Sequence, residues 1–294
     1  MQTIRPPDPD PRTPDTRLPP SAVDTQIHIF GPAERYPLKP DALYAPHLLG
    51  LDDAEAMHRA LGIERGVLVS PTVYGTDNRC MLDALRHAQA GRWRGIAVIG
   101  DQTTERELDE MNELGVRGAR CNFASFLNMA PDEELFCRTV ERIARLGWHV
   151  VLHVMAEDLI AHESLFREVR IPVVVDHMAH LDLDNEAGGR AFDLLLELVG
   201  QDNWWIKLSN GDRISNAGPP YDDVVAVGRA LAEAAPGRAI WGTDWPHVLY
   251  RKEWMVNDGD LVDLLARYVP NEAARNRILV DNPQELYGFS GAES

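Results

Sequence analysis

The chain of 294 residues carries 46 acidic against 29 basic side chains, a formal net charge of −17, and is 45% hydrophobic. That charge excludes partners read through basic patches, nucleic acid and anionic membrane surfaces among them. It also repels an anionic ligand at long range, so an anion site has to be local, built from a few converging Arg, His and amide groups. The length fits one large domain, and no run approaches the roughly 18 apolar residues of a membrane-spanning helix.

Residues 1–20 hold seven prolines and no apolar stretch. They read as a proline-rich arm, disordered or packed loosely on the surface, and not as a secretory signal. Residues 21–294 read as a single catalytic domain. In it, short apolar runs alternate with longer amphipathic segments. The runs predict strands at Val23–Ile29, Gly66–Ser70, Gly95–Ile99, Gly118–Phe123, His149–Val154, Pro172–Asp176, Trp204–Leu208 and Ala239–Gly242. Helical periodicity lies between them, at Asp77–Ala90, Glu105–Leu114, Glu133–Leu146 and Tyr221–Ala235, with Gly115 and Gly147 as C-cap glycines. Cys80, Cys121 and Cys137 are too few and too scattered for a disulfide framework or zinc knuckle, which fits a reducing cytoplasm. Eight strands, each followed by a helical region, predict an α/β fold with a parallel sheet closed into a (β/α)8 TIM barrel. An open doubly wound sheet fits the alternation too, but no glycine-rich phosphate turn follows the first strand.

In such a barrel, ligand-handling residues sit at the C-terminal ends of the strands. Polar residues fall there repeatedly. Gln26 and His28 lie on the first strand, Ser70, Thr72 and Tyr74 at and after the second, and Arg120 and Asn122 on the fourth. His153 is on the fifth, Asp176, His177 and His180 end the sixth, Ser209, Asn210 and Arg213 follow the seventh, and Asp244 and His247 follow the eighth.

Gln26 and His28, two apart on a strand, share a face. A His-x-His pair there commonly holds a divalent metal, but glutamine is a poor zinc ligand. The two read either as a carbonyl-polarising pair, His28 the electrophile and Gln26 an amide donor, or as a satisfied buried polar pair. Asp244, in Trp241-Gly-Thr-Asp-Trp-Pro-His247, suits a general base for water; the alternative is a cap on the following segment. His177 follows Val173-Val-Val-Asp176, a run typical of a buried parallel strand. It reads as catalytic beside His28 and Asp244, or as strand-end scaffolding, with Asp176 turned away to orient a neighbour. Arg120 and Arg213 are the anion-binding candidates, the alternative for each being an ion pair, which is the reading preferred for Arg117. Lys207 raises Schiff-base chemistry.

Asp24-Thr-Gln-Ile-His28, Gly115-Val-Arg-Gly-Ala-Arg-Cys-Asn-Phe123, Gly147-Trp-His-Val-Val151, Val173-Val-Val-Asp-His-Met178, the Trp241–His247 element and Asp281-Asn-Pro283 together resemble the amidohydrolase-related lactonases of the amidohydrolase superfamily, from about Val23 to Tyr287. The resemblance implies a (β/α)8 barrel and lactone ring opening by water without a metal or other cofactor. It implies that Asp244 is the base, that His28 and His177 stand at the family's strand-1 and strand-6 histidines, and that Arg120, Arg213, Thr72 and Tyr44 line the substrate pocket. Asn122, His153, Ser70, Tyr74 and His247 join them as substrate-binding candidates from their rim positions. Three departures stand out: Gln26 and His153 replace a histidine and a tyrosine, and Phe126 stands where the family has a carboxylate-gripping arginine. The Asp-Thr-Gln-x-His form is similar to that of the sugar-acid lactone isomerases. The expected partner is a small anionic lactone, with no nucleic acid and no membrane; a homo-oligomer stays open. The rival readings are a zinc-dependent amidohydrolase-type decarboxylase or hydrolase, and a barrel that only binds its ligand.

Overall fold

The computed structural model describes residues 2–289. β-branched and aromatic runs form eight parallel strands: β1 (Val23–Ile27), β2 (Arg65–Val69), β3 (Trp93–Ala97), β4 (Val116–Asn122), β5 (His149–His153), β6 (Val173–Val175), β7 (Trp204–Lys207) and β8 (Ala239–Ile240). Each strand pairs with the next in chain order. The ring closes where the segment after β8 meets β1. Thr25 N–H donates to the Trp241 carbonyl at 3.0 Å, Asp244 N–H to Gln26 at 3.0 Å and His28 N–H to Trp245 at 2.9 Å. The expected TIM barrel is therefore the observed fold, and its strands are buried on both faces, as parallel strands under a helical shell must be.

The helices start where side chains can cap them. Thr104 and Glu107 form a reciprocal capping box on Glu105–Glu113, and Asp132 caps Glu133–Ala144. The helix expected over Tyr221–Ala235 begins only at Val225. Tyr221 is left-handed at φ 64°, and the Asp223 carboxylate is taken by Ser215, Asn216 and Ala217 of the preceding loop, so this stretch serves the loop instead.

The N-terminal arm is docked, contrary to the loose packing expected of it. Gln2–Thr3 pairs with Tyr44–Ala45, and Ile4 and Leu18 are buried. The Arg12 guanidinium ion-pairs with Asp260 and Asp263, one turn apart on the helix Asp258–Tyr268. Prolines lower the entropy such a segment loses on docking, and that helix presents the acidic face that holds it. Among the described residues no helix is long and apolar enough to cross a membrane.

Candidate active site

A cavity of about 220 Å³ opens at the C-terminal rim of the barrel. His28, Tyr44, Thr72 and Arg120 line it from the first half of the chain, and His153, His177, Arg213 and Asp244 from the second. Backbone strain is concentrated around it. His177, Met178, Ala179 and His180 are four successive left-handed residues, and Asn210, Asp244, His247 and Leu249 are left-handed as well. L-residues pay roughly 1–2 kcal/mol each for that conformation, so surrounding bonds must impose it, a pattern found where side chains are being aimed.

Asp244 stands at the centre and is nearly buried. Its Oδ1 lies 3.4 Å from His28 Nε2 and 3.8 Å from His177 Nε2, and its Oδ2 accepts from the Arg213 guanidinium at 3.1 Å. Burial opposes its ionisation, but His177, His28 and Arg213 outweigh that and hold the carboxyl well below its usual range. Asp244 is thus an ionised carboxylate facing the cavity, and it caps no helix.

A buried network stands behind it. Arg120 donates from Nε to Asp176 Oδ2 at 2.8 Å and from Nη2 to His177 Nε2 at 3.2 Å. Lys207 Nζ lies 2.7 Å from Asp176 Oδ1 and 2.6 Å from Gln26 Oε1. Burial pushes the Asp176 carboxyl up, yet Lys207 and Arg120 bring it below the normal range. Asp176 does orient neighbours, as expected. Lys207 is fully buried, is engaged by both partners and does not line the cavity, which removes the Schiff-base reading. Among the described residues Arg117 finds carbonyls, of Asn112 and Val116, and no carboxylate.

Hydrogen-bond direction revises two expected roles. A guanidinium only donates, so His177 Nε2 accepts from Arg120, and His177 Nδ1 donates to Ser209 Oγ at 2.8 Å. Burial holds His177 neutral, its pKa well below the ordinary value. It therefore has no free N–H to offer a substrate. Gln26 is fully buried and does not reach the cavity. Its carbonyl is held by Lys207, which turns its Nε2 toward His28 Nε2 at 3.4 Å. Gln26 orients His28 instead of touching substrate. His28 Nδ1 donates to the Val69 carbonyl at 2.8 Å, which leaves Nε2 facing Asp244 and the cavity.

Four expected substrate contacts lie off the cavity. Ser70 donates to Asn78 Oδ1 at 2.6 Å and braces the loop after β2. The Tyr74 hydroxyl accepts from Gly31 N–H at 3.2 Å. His247 Nε2 pairs with Asp258 at 2.9 Å, and Asn122 Oδ1 sits behind His153 Nδ1 at 3.2 Å. Each is polar at a strand end because a loop needs bracing there, which strand position alone does not distinguish from ligand contact. The cavity also gathers residues not singled out as site candidates. Asn210 is 2% exposed and lines the cavity, and among the described residues its Oδ1 and the Arg213 Nε have no hydrogen-bond partner. The signal for Asn210 was its place beside Ser209 and Arg213 after β7.

Ligand atoms of His153, His177 and His180 lie within 4.8 Å of one another, the geometry of a three-histidine metal cluster. The surroundings do not fit a resident cation. Both nitrogens of His177 are engaged, His153 and His180 face each other at 3.2 Å, and Arg120 points into the group. Burial lowers the His180 pKa to about 4.

A barrel with this rim of histidines and a strand-8 aspartate defines an amidohydrolase-type hydrolase. The chain belongs to the amidohydrolase family, whose profile matches residues 23–289. It is 38% identical to a 4-sulfomuconolactone hydrolase of Hydrogenophaga intermedia, covering 92% of this chain and 90% of that one. It is 37% identical to a 2-pyrone-4,6-dicarboxylate hydrolase of Comamonas testosteroni, over 95% and 93%. It is 30% identical to the D-galactarolactone isomerase of Agrobacterium fabrum, over 94% of each. A crystal structure of an Agrobacterium tumefaciens protein superposes with a TM-score of 0.84 at 29% identity, covering 95% of this chain and all of the other.

Proposed function

We propose that the protein hydrolyses a small carboxylated lactone without a metal, with Asp244 as the general base. The observation that carries this is the ionised Asp244 carboxylate facing a cavity, with His28 Nε2 and the Arg213 guanidinium on it. Water attacks the lactone carbonyl carbon as Asp244 accepts its proton. The oxyanion forms against the free edge of the Arg120 guanidinium. Collapse breaks the ring acyl C–O bond, and the leaving oxygen takes the proton back from Asp244, giving the open hydroxy acid.

Metal independence rests on the donor set. The strand-1 amide oxygen is held by the Lys207 ammonium, and His177 Nε2 by the Arg120 guanidinium, so two fixed cations occupy the atoms a metal would need. A second reading, isomerisation, is favoured by the likeness to a lactone isomerase. In it a substrate hydroxyl replaces water at the same base.

Chelator-treated protein, assayed against 4-sulfomuconolactone, 2-pyrone-4,6-dicarboxylate and D-galactarolactone in ¹⁸O-water, tests both. Hydrolysis places one ¹⁸O in the new carboxylate, whereas isomerisation places none. Loss of turnover on chelation, with recovery on zinc, would overturn metal independence.

A further inference from the structure

The N-terminal arm runs past two walls of the cavity. One wall is the loop after β1, residues 28–50, which supplies Tyr44; the other is the loop after β8, which supplies Val248, Leu249, Arg251 and Lys252. Among the described residues no hydrogen bond or ion pair joins residues 31–50 directly to residues 246–257. The arm joins them. Gln2 N–H donates to the Leu43 carbonyl at 2.7 Å, and Gln2 and Thr3 pair with Tyr44 and Ala45. The Ile4 carbonyl accepts from His47 Nε2 at 3.0 Å, and the Ile4 side chain is buried. The next residue, Arg5, reaches the other wall. Its guanidinium donates to the Lys252 carbonyl and, at 3.0 Å, to the Glu253 carbonyl.

The loop after β8 needs such holding. Residues 246–257 belong to no strand or helix, and His247 and Leu249 are left-handed. Carbonyls outside a ladder or helix have to be met by side chains or water. Arg213 takes the Val248 carbonyl at 3.0 Å, and Arg5 takes the two that follow Arg251. Further along, Asn257 Oδ1 accepts from Arg12 N–H at 3.0 Å, and its Nδ2 donates to Asp8 at 2.9 Å and to the Asp10 carbonyl at 3.1 Å. The arm sits so close there that a Cβ at Gly259 would lie 2.3 Å from the Arg12 carbonyl oxygen. Arg5 is thus fixed from both sides, by strand pairing before it and by the Asn257 contacts after it. Gripping the loop orders little additional chain, which makes an exposed contact effective.

We propose that Arg5 is a positioning residue for the reaction: it clamps the loop after β8 to the loop after β1, and so holds two cavity walls around the lactone without touching it. This rests on the lactone-hydrolase reading and adds the part of the chain that keeps the cavity in its binding shape. Asp244 is held separately, by its own N–H on the Gln26 carbonyl at the barrel seam. Loosening the clamp therefore weakens binding and spares the chemical step.

The test uses the full chain as Arg5→Ala, Arg5→Lys and a control, Arg229→Ala. The control removes an exposed arginine–carbonyl bond on the helical shell, from Arg229 to Arg267 at 3.0 Å. Brief trypsin digestion of the folded protein, with fragments identified by mass, reports opening of the loop at Arg251 and Lys252. Kinetics on whichever of the three lactones is turned over reports KM and kcat. Arg5→Ala should speed cleavage after Arg251 or Lys252 by roughly 3- to 10-fold and raise KM by a similar factor, the range for an exposed charged contact, with kcat within about 2-fold of the wild type. Arg5→Lys keeps the charge but cannot fork two carbonyls, so it should recover part of both effects. Arg229→Ala should change neither. Unchanged cleavage in Arg5→Ala, or faster cleavage with KM unmoved, overturns the clamp while leaving hydrolysis at Asp244 standing. Turnover of none of the three lactones counts against the hydrolase reading instead. The trypsin comparison then decides the clamp alone: faster cleavage in Arg5→Ala supports it, and unchanged cleavage overturns it.

Discussion

At the scale of single residues, the site is decided by which atoms are already engaged. The place of Asp244 at the cavity follows from a carboxylate in Trp241–His247 after the last strand, and the structure adds the groups around it: His28, His177 and Arg213. The roles of His177 and Gln26 were not legible. Sequence gives a histidine or an amide, but the direction of its hydrogen bonds depends on Arg120 and Lys207, from two other strands. Asp244→Asn keeps the shape and loses the base. It should lower kcat by at least about 100-fold, while a small unreactive carboxylate such as benzoate binds as well as to the wild type or better, since one negative charge has left an anion site. Stopped-assay kinetics with parallel calorimetry checks both. Retained kcat with lost affinity or stability would make Asp244 a structural group.

At the scale of elements, the rim around the cavity depends on how the segment after β8 meets β1. Asp24 Oδ1 accepts from Gln26 N–H and Thr243 N–H, each at 3.0 Å, and its Oδ2 accepts from Thr243 Oγ1 at 2.6 Å. This one carboxylate sets the approach of Asp244 to His28. The approach is close enough to require glycine at 242, where a Cβ would lie 2.7 Å from the backbone nitrogen of Gln26 and 3.0 Å from Asp24 Oδ1. The eight strands and their order could be read from apolar runs, since a buried parallel strand is nearly continuous in Val, Ile and Leu. Closure could not, because it rests on a carboxylate and a missing side chain over 200 positions apart in the chain. Gly242→Ala should cost about 1–3 kcal/mol of stability, the range for overpacking, and should lower kcat by more than that loss accounts for, because the strain falls on the segment carrying Asp244. Gly189→Ala is the control. That glycine lies in the helix Glu186–Val199 with open space where its Cβ would be, so it should be neutral or up to about 1 kcal/mol stabilising. Chemical denaturation with kinetics on the folded protein separates the two; equal effects would remove the argument from closure.

At the scale of the whole molecule, the site sets how stability depends on pH. Four histidines have lowered pKa values: His149 to about 3 and His180 to about 4, while His153 and His177 lie well below the ordinary value, desolvation being the largest cause in each. In the unfolded chain each titrates near 6.5. Above that pH neither state binds the proton, and the histidines add no pH dependence. As pH falls below it, the unfolded chain takes up protons that the folded protein refuses, so stability is lost from about 6.5 down to each folded value. For His180 alone the full span corresponds to about 3 kcal/mol, an upper figure. Asp176 and Asp244, held below the carboxylate range, add a second loss that starts only below the unfolded carboxylate value. His247, raised net by Asp258 against the effect of burial, and Asp212, raised by burial, act in the opposite sense. Four groups against one in the histidine range leave a net fall. The melting temperature should therefore decline as pH is lowered from 7 to 5, before any carboxylate titrates. The four buried-lowered histidines are neutral above 6.5 in both states and only the raised His247 titrates there, so between pH 7 and 8 the curve should be nearly level or fall slightly as His247 loses its proton. A melting temperature that stays flat down to pH 5 and drops only below 4 would mean that these histidines are protonated without cost. The neutral His177 that accepts from Arg120 would then have to be replaced by a charged one, and the donor set proposed for the oxyanion would change with it.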